Sequence, residues 1–253
     1  MLSAHACRPR HAIIDSASKL TDQTTGVDIV GSGYAALFDM DGVIIDTRSA
    51  TATALHVLVT AALGAPVPAA VVDQCVALAP VDALAALGVR DARRVYEEHF
   101  DGALADAVGQ VRTFEPVLAG MLELSRAGVG LGIITAQAHS RLPFLLPPVV
   151  AALVDVVIAH EDAAPKPAPD GVVTACARLG VQPQRAFYLG DTANDIAAGR
   201  AAGVVTVGAG WGFVGPDTLR RVGADVVLAE PHHVGVSLLT HLDGWPDRQL
   251  VTD

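Results

Sequence analysis

The sequence is poor in basic residues and has no long apolar run. Its 253 residues include 17 lysines and arginines against 27 aspartates and glutamates, which gives a formal net charge of -10. Such acidity argues against a nucleic-acid partner, and a site for an anionic substrate would need local positive charge. The longest uncharged stretch, residues 49–72, contains a histidine, a glycine and two prolines. We therefore predict no membrane-spanning helix and no membrane partner.

Cysteine is also scarce. The three cysteines, Cys7, Cys75 and Cys176, lie far apart and are odd in number. This pattern indicates reduced thiols without metal-ligand spacing, and we expect a cytoplasmic protein. Residues 1–33 lack a sustained apolar segment, so they do not read as a signal peptide, and their mixed composition predicts a flexible N-terminal extension.

What the sequence does contain is an uncharged run that ends in two carboxylates. Residues 34–38 read as a buried parallel strand, and Asp39, Asp41 and Gly42 follow it. Side chains two positions apart on a strand point the same way, so these two carboxylates would repel each other unless a cation lies nearby. Gly42 would let the main chain approach a ligand closely. A strand end with two carboxylates and a flexible turn suits a site for Mg²⁺ and phosphate, although a segment of this kind on its own is more often a solvated acidic turn.

The remaining pattern predicts an α/β fold. Residues 48–112 read as alanine-rich helices, beginning with a helix that Asp46 or Thr47 would cap and Gly64 would end. From residue 113 onwards, helices and strands alternate, ending with a helix near 233–242, which predicts a doubly wound parallel sheet. We thus expect an α/β core of residues 34–47 and 113–253, interrupted by a small helical domain at 48–112.

Four predicted strand ends carry polar residues that suit one site. Thr135 ends the second core strand, Lys166 lies in the loop after the third, and Asp191 and Asp195 follow the fourth. In a doubly wound sheet these positions meet at the carboxyl edge, together with Asp39. Lys166 stands between two prolines and is one of only two lysines among 17 basic residues, and a compact ammonium suits a tight phosphate pocket. Asp195 also suits a helix N-terminus.

These motifs, in this order, resemble the haloacid dehalogenase superfamily of phosphohydrolases. The resemblance covers residues 34–240 and rests on the segment 39–43, Thr135, Lys166-Pro167, and Gly190-Asp191 with Asp195. It implies a Rossmann-like core with a type 1 helical cap at 48–112. The run at 197–203 is similar to the phosphoglycolate-phosphatase-like members.

The resemblance also implies a role for each residue. Asp39 would be the nucleophile, and Asp41 would protonate the leaving oxygen and then deprotonate water. Mg²⁺ would bind Asp39, the carbonyl oxygen of Asp41, Asp191 and Asp195. The phosphate would be held by Thr135, Lys166 and Gly42. The chemistry agrees, because a carboxylate that attacks a phosphate dianion needs a divalent cation and an ammonium to offset repulsion.

Other activities stay open at this stage. A phosphosugar mutase of the beta-phosphoglucomutase type would carry a histidine early in the cap, near Thr51, and His56 lies a few residues on. A catalytically silent phosphate-binding protein is a second alternative, although every group that the chemistry requires is present. Metal-independent dehalogenases lack a second aspartate equivalent to Asp41.

Substrate identity depends on the cap and the loops that face it. Arg48 at the cap hinge, Arg141 and Trp211 are the candidate specificity residues, with His139 beside Arg141; a solvated surface position is the alternative for Arg141 and His139. Few charges in the cap favour an apolar or aromatic phosphate ester as substrate. We expect a monomer or a homodimer.

Overall fold

The computed structural model describes residues 33–235 and residue 238. The strands of this part are β1 Ala35–Phe38, β2 Ile45–Asp46, β3 Arg112–Thr113, β4 Gly130–Ile134, β5 Val156–Ile158, β6 Ala186–Gly190, β7 Val205–Ala209 and β8 Val226–Leu228. Six of them form one parallel sheet in the order β5-β4-β1-β6-β7-β8. The predicted α/β fold with a parallel sheet is confirmed, and β1 occupies a central position in it.

From β3 onwards helices alternate with the strands, as predicted, and four helices follow one another before β3. The helices are α1 Arg48–Leu63, α2 Ala69–Asp73, α3 Pro80–Ala86, α4 Ala92–Asp106, α5 Glu115–Arg126, α6 Leu142–Leu145, α7 Pro148–Leu153, α8 Asp170–Leu179, α9 Ala193–Ala202 and α10 Pro216–Arg221. None of the helices in the described residues is both long enough and apolar enough to span a membrane.

The sheet has an apolar layer on each face. Ala36 and Phe38 of β1 join the cluster that contains buried residues of α5, whereas Ala35 and Leu37 join the cluster with α8. Successive side chains of a strand point to opposite faces, so a strand covered on both sides must be apolar throughout. This double burial explains why the run before Asp39 carries no polar residue.

Helices α1 to α4 lie between β2 and β3 in the chain. Helix α1 begins after Thr47 and ends at Gly64, whose φ of 66° is the left-handed conformation that favours glycine. The Asp46 carboxylate accepts a hydrogen bond from the Arg48 N–H at 3.0 Å, while Thr47 at the N-cap makes no side-chain capping bond. The Thr47 hydroxyl points elsewhere, to Asp41.

The small antiparallel sheet of β2 and β3 was not predicted. Ile45 pairs with Thr113 and Asp46 with Arg112, so the two chain segments that enter and leave the helical region are joined by a two-residue ladder. Strands this short show no alternation that a sequence pattern can reveal. The predicted extension at 1–33, apart from Gly33, and most of the predicted helix at 233–242 lie outside the described residues.

Candidate active site

The carboxyl ends of the central strands bring the predicted acidic residues to one place. One carboxylate oxygen from each of Asp39, Asp191 and Asp195 lies within 4.8 Å of the others, and all three residues are buried. Asp39 directly follows β1, while Asp191 and Asp195 follow β6, the neighbour of β1. Three buried carboxylates at this separation repel one another strongly unless cations are bound close by.

Lys166 supplies one of these cations. Its Nζ lies 2.6 Å from Asp39 Oδ1 and 2.6 Å from Asp195 Oδ1, and it is largely buried. Asp195 is held further by the Tyr188 hydroxyl at 2.8 Å and by the backbone N–H and hydroxyl of Thr192. Thr192 and Asp195 together form the N-terminal capping box of α9. Asp195 therefore both caps a helix and fixes the position of the Lys166 ammonium.

Asp191 has one satisfied and one free oxygen. Its Oδ2 accepts the Phe213 N–H at 2.6 Å, whereas Oδ1 is buried without a hydrogen-bond partner among the described residues. A buried carboxylate oxygen without a partner is costly in an apolar environment. Carboxylate oxygens are the ligands that Mg²⁺ prefers. The orphaned oxygen beside Asp39 and Asp195 therefore fits a divalent cation.

Two glycines pack directly against the Asp191 carboxylate. A Cβ on Gly42 would lie 2.2 Å from Asp191 Oδ2, and a Cβ on Gly212 would lie 2.4 Å from the same atom. The Gly42 N–H donates to the Ile45 carbonyl oxygen at 2.7 Å, so that group is already used within the turn. The phosphate contact of Gly42 stays a prediction, and the structure adds a steric role, since any side chain here would displace Asp191.

Asp41 lines the same cleft as the three clustered aspartates and has polar partners of its own. Its Oδ1 accepts the Thr47 hydroxyl at 2.8 Å, and the Gln137 amide nitrogen lies 3.1 Å from both of its oxygens. Thr135 is buried and lines the same cleft, and its hydroxyl oxygen accepts the Gln137 N–H at 3.0 Å. That bond leaves the Thr135 hydroxyl hydrogen for donation to another group.

The four aspartates differ in how the site shifts the pKa of their carboxyl groups. Burial raises the pKa of Asp39 to about 7, with Asp195 and Asp41 adding to the increase and Lys166 opposing it. Burial also raises the pKa of Asp41 and that of Asp191, the latter with help from the Asp39 charge. Burial disfavours the charge of Asp195 too, but the Lys166 ammonium outweighs it and holds the pKa of Asp195 below its usual value.

These carboxylates lie at the base of a cleft of about 480 Å³. The opposite wall comes from the helical region and is mostly apolar. It consists of Thr51, Val76, Ala77, Leu78, Ala79, Pro80, Val81, Arg93 and Tyr96. The cleft is thus acidic and cationic at its floor and apolar at its roof.

The three candidate specificity residues lie outside the set of described residues that line this cleft. Arg48 is exposed, and its guanidinium stacks on the Phe213 ring and donates to the Phe213 carbonyl oxygen at 3.1 Å. Trp211 donates its Nε1–H to the Val43 carbonyl oxygen and packs against Phe114. Arg48 therefore lies behind Phe213, which lines the cleft, whereas the partners of Trp211 are outside this lining. A role of either residue in substrate specificity stays a prediction.

Arg141 is not a solvated surface residue, because only 6% of it is exposed. It donates hydrogen bonds to Asp101 and Tyr96 of α4 and to Gln137. His139 is half exposed, in accord with that alternative, and its Nε2 lies 3.0 Å from Asp162.

Five residues that contact the aspartates were not predicted as site residues. Thr47 and Gln137 contact Asp41, and Phe213 contacts Asp191. Tyr188 and Thr192 contact Asp195. Thr47 was predicted only as a helix cap, and no role was predicted for Gln137. Phe213 contributes through its backbone N–H, which no side-chain pattern can signal.

The chain is similar to known hydrolases in sequence and in fold. The family model described as haloacid dehalogenase-like hydrolase matches residues 36–209. A phosphoglycolate phosphatase of Xylella fastidiosa (strain Temecula1) is 30% identical over 235 residues, which are 87% of this chain and 97% of that protein. Pyrophosphatase PpaX of Bacillus velezensis is 34% identical over 136 residues, and the match spans 53% of this chain and 61% of that protein. A HAD family hydrolase from Deinococcus radiodurans R1, solved with bound phosphate and sodium, has a TM-score of 0.65 and 25% identity, covering 82% of this chain and 96% of that one.

Proposed function

The chain belongs to the haloacid dehalogenase-like hydrolase family, and on that premise we propose that it is a Mg²⁺-dependent phosphatase of small phosphorylated metabolites. The observation that carries the proposal is the meeting of Asp39, Asp191, Asp195 and the Lys166 ammonium at the floor of one cleft. Lys166 and Asp195 are 29 positions apart in the sequence, and Lys166 and Asp39 are 127 apart. A purely structural ion pair would not need a third buried carboxylate with a free oxygen.

Asp39 is the nucleophile in this proposal. Its carboxylate oxygen forms a bond to phosphorus while the bond from phosphorus to the ester oxygen breaks, which leaves an aspartyl phosphate. Lys166, 2.6 Å from Asp39, offsets the repulsion between the carboxylate and the phosphate dianion. Thr135 donates its free hydroxyl hydrogen to a phosphoryl oxygen.

Asp41 moves the protons. In its protonated form it gives its proton to the departing ester oxygen, which leaves as an alcohol. It then takes a proton from the water that attacks the aspartyl phosphate, and this step releases phosphate and restores Asp39. The raised pKa of Asp41, caused mainly by burial, supports the first task, and the donors Thr47 and Gln137 stabilise its charged form for the second.

Mg²⁺ would be held by Asp39, Asp191 and the backbone carbonyl oxygen of Asp41, with Asp195 assisting. When bound, it would supply positive charge against the phosphoryl oxygens. The orphaned Oδ1 of Asp191 is the atom that most needs such a partner.

We further propose that residues 48–112 act as a cap whose apolar wall selects the leaving group. The segment 76–81 contributes six consecutive residues to the cleft lining, none of them charged. An apolar or aromatic leaving group would gain from burial against this wall, whereas the carboxylate of a glycolate group would meet a cation there, among the described residues, only at Arg93. A phosphate ester of an aromatic or aliphatic alcohol is therefore the substrate class that the cleft favours.

The mutase alternative has less support. His56 lines a separate cavity together with Arg48, whereas Thr51 lines the cleft that contains Asp39. Because the early cap position that faces the site is a threonine, it has no imidazole with which to move a proton from a sugar hydroxyl.

We also propose a cytoplasmic location for the protein, as a monomer or homodimer without a nucleic-acid partner. Cys75 and Cys176 are free thiols, which suits a reducing compartment.

The test is phosphate release from p-nitrophenyl phosphate with and without Mg²⁺. We expect turnover that EDTA abolishes, and Asp39→Asn should remove it while leaving the fold intact. A panel of phosphate monoesters should then rank phenyl and alkyl phosphates above phosphoglycolate in kcat/KM. Wild-type protein that binds phosphate tightly without turnover would instead support a phosphate-binding protein.

A further inference from the structure

Arg141 is a buried cation that joins the helical region to the loop after β4. Its Nε donates to Asp101 at 2.6 Å and its Nη2 donates to the Tyr96 hydroxyl at 2.7 Å, and both partners belong to α4. Its Nη1 donates to Gln137 Oε1 at 3.1 Å. The guanidinium also lies 5.1 Å from the ring centres of Tyr96 and Phe100. All three nitrogens of this side chain are therefore engaged.

The bond to Gln137 decides which way its amide faces. A guanidinium has donors only, so it can pair with the carbonyl oxygen of the amide and not with its NH₂ group. With Oε1 held by Arg141, the NH₂ group faces Asp41 and lies 3.1 Å from both carboxylate oxygens. If the amide flipped, its oxygen would face the Asp41 carboxylate, and both groups are acceptors. Its NH₂ group would then face the Arg141 guanidinium, and both of these are donors.

We propose that Arg141 is a positioning residue that couples the placement of α4 over the cleft to the orientation of Gln137 on Asp41. This inference rests on the proposed function, since it assigns the catalytic proton transfers to Asp41. When Asp101 and Tyr96 hold the guanidinium, its Nη1 fixes the amide, and the amide in turn fixes the carboxylate plane of Asp41. The catalytic group is thus fully oriented only when the cap helix is in place.

Arginine suits this task better than lysine does. Its planar fork directs rigid donors toward three acceptors at once, whereas an ammonium on a flexible stem is a point charge without a fixed plane. The Asp101 carboxylate, which is half exposed, supplies the charge that a largely buried guanidinium requires.

A residue that only joined the cap to the core would behave differently. Replacing such a residue would lower stability or substrate affinity, and any effect of the replacement on kcat would be independent of Gln137. An orienting residue instead lowers kcat, and its effect disappears once the amide that it orients has been removed. These two cases are separated by a double-mutant cycle.

The experiment measures kcat and KM for p-nitrophenyl phosphate with Mg²⁺ in Arg141→Met, Gln137→Met and the double variant. Ser140→Ala is the matched control, because the Ser140 hydroxyl also crosses to Asp101, at 3.2 Å, without touching Gln137. Arg141→Lys is the second variant, since it keeps a buried positive charge should the methionine variant fail to fold. Thermal unfolding is followed for every protein.

We expect each single variant at 137 or 141 to lower kcat about 10- to 100-fold, because a small misplacement of a catalytic group costs that much. The double variant should match the slower single variant within about twofold, KM should change less than kcat, and Ser140→Ala should keep the wild-type kcat. Arg141→Lys should lower kcat as Arg141→Met does.

If the wild-type protein is active and the losses in kcat of the two single variants multiply in the double variant, this inference is overturned while the proposed function stands. A normal kcat in a folded Arg141→Lys protein would do the same. A wild-type protein without any Mg²⁺-dependent turnover would overturn both.

Discussion

Gly212→Ala provides a direct test of whether the position of the Asp191 carboxylate controls activity. A Cβ at residue 212 would lie 2.3 Å from Asp191 Cβ and 2.4 Å from its Oδ2. Non-bonded carbon atoms prefer about 3.5 Å or more, so the clash is relieved only by a movement of about 1 Å. The φ angle of Gly212 is not positive, whereas that of Gly42 is 76°. The effect of alanine at residue 212 is therefore steric and not a backbone strain.

Either way of relieving the clash damages the site. If Asp191 moves, its Oδ1 leaves the cluster that it forms with Asp39 and Asp195. If the loop moves, the Phe213 N–H that holds Asp191 Oδ2 at 2.6 Å moves with it. A displacement of about 1 Å at a catalytic centre can cost about 100-fold in rate, or about 2.7 kcal/mol of transition-state stabilisation.

The assay is kcat/KM for p-nitrophenyl phosphate over a titration of Mg²⁺. We expect Gly212→Ala to lose about 100-fold and to need more Mg²⁺ for half-maximal rate. Gly102→Ala is the control, because Gly102 lies within α4 and an added Cβ there meets nothing within 4 Å. The control should keep full activity and gain up to about 1 kcal/mol of stability from helix propensity. A folded Gly212→Ala protein within about threefold of wild type at every Mg²⁺ concentration would refute the reasoning.

Three further predictions concern stability and reactivity. Tyr188→Phe removes the hydroxyl that donates to Asp195 at 2.8 Å, and urea unfolding should show a loss of about 1.5–3 kcal/mol; a loss under about 0.5 kcal/mol would contradict this. Burial raises the pKa of Asp39 to about 7, so the folded protein holds that proton more tightly than the unfolded chain does, and without metal stability should fall as pH rises from about 4 to 7. Asp39→Asn should flatten this slope in EDTA, and parallel slopes for the two proteins would show that Asp39 is not its source. Burial raises the pKa of the Cys176 thiol to about 11, so at pH 8 only about a thousandth of it is thiolate. In the native state iodoacetamide should therefore label Cys75 far faster than Cys176, and equal labelling rates would argue against the burial of Cys176.

The meeting of the acidic residues was predictable because it follows from topology. In a parallel sheet all strands end at the same edge, so residues after adjacent strands must lie close together. Asp39 follows β1 and Asp191 follows β6, and these two strands pair directly. The position of Lys166 was predictable for the same reason, from the loop after β5.

The surroundings of Asp41 were not predictable in this way. Gln137 reaches Asp41 across 96 positions of sequence, and Arg141 reaches Tyr96 across 45. These contacts depend on side-chain rotamers and on how the helical region sits over the core. No periodic pattern carries such information, and a lone arginine in a loop is usually solvated.

The succession of core strands and helices along the chain and the residues at the strand ends were thus determined by the sequence itself, through hydrophobic periodicity and the geometry of parallel sheets. The tertiary structure alone decided that Arg141 is buried, that Phe213 holds Asp191 through its backbone, and that Trp211 packs against Phe114. The physical reason is that periodicity is a local property of the chain, whereas hydrogen bonding in a packed interior depends on which distant groups are left without another partner.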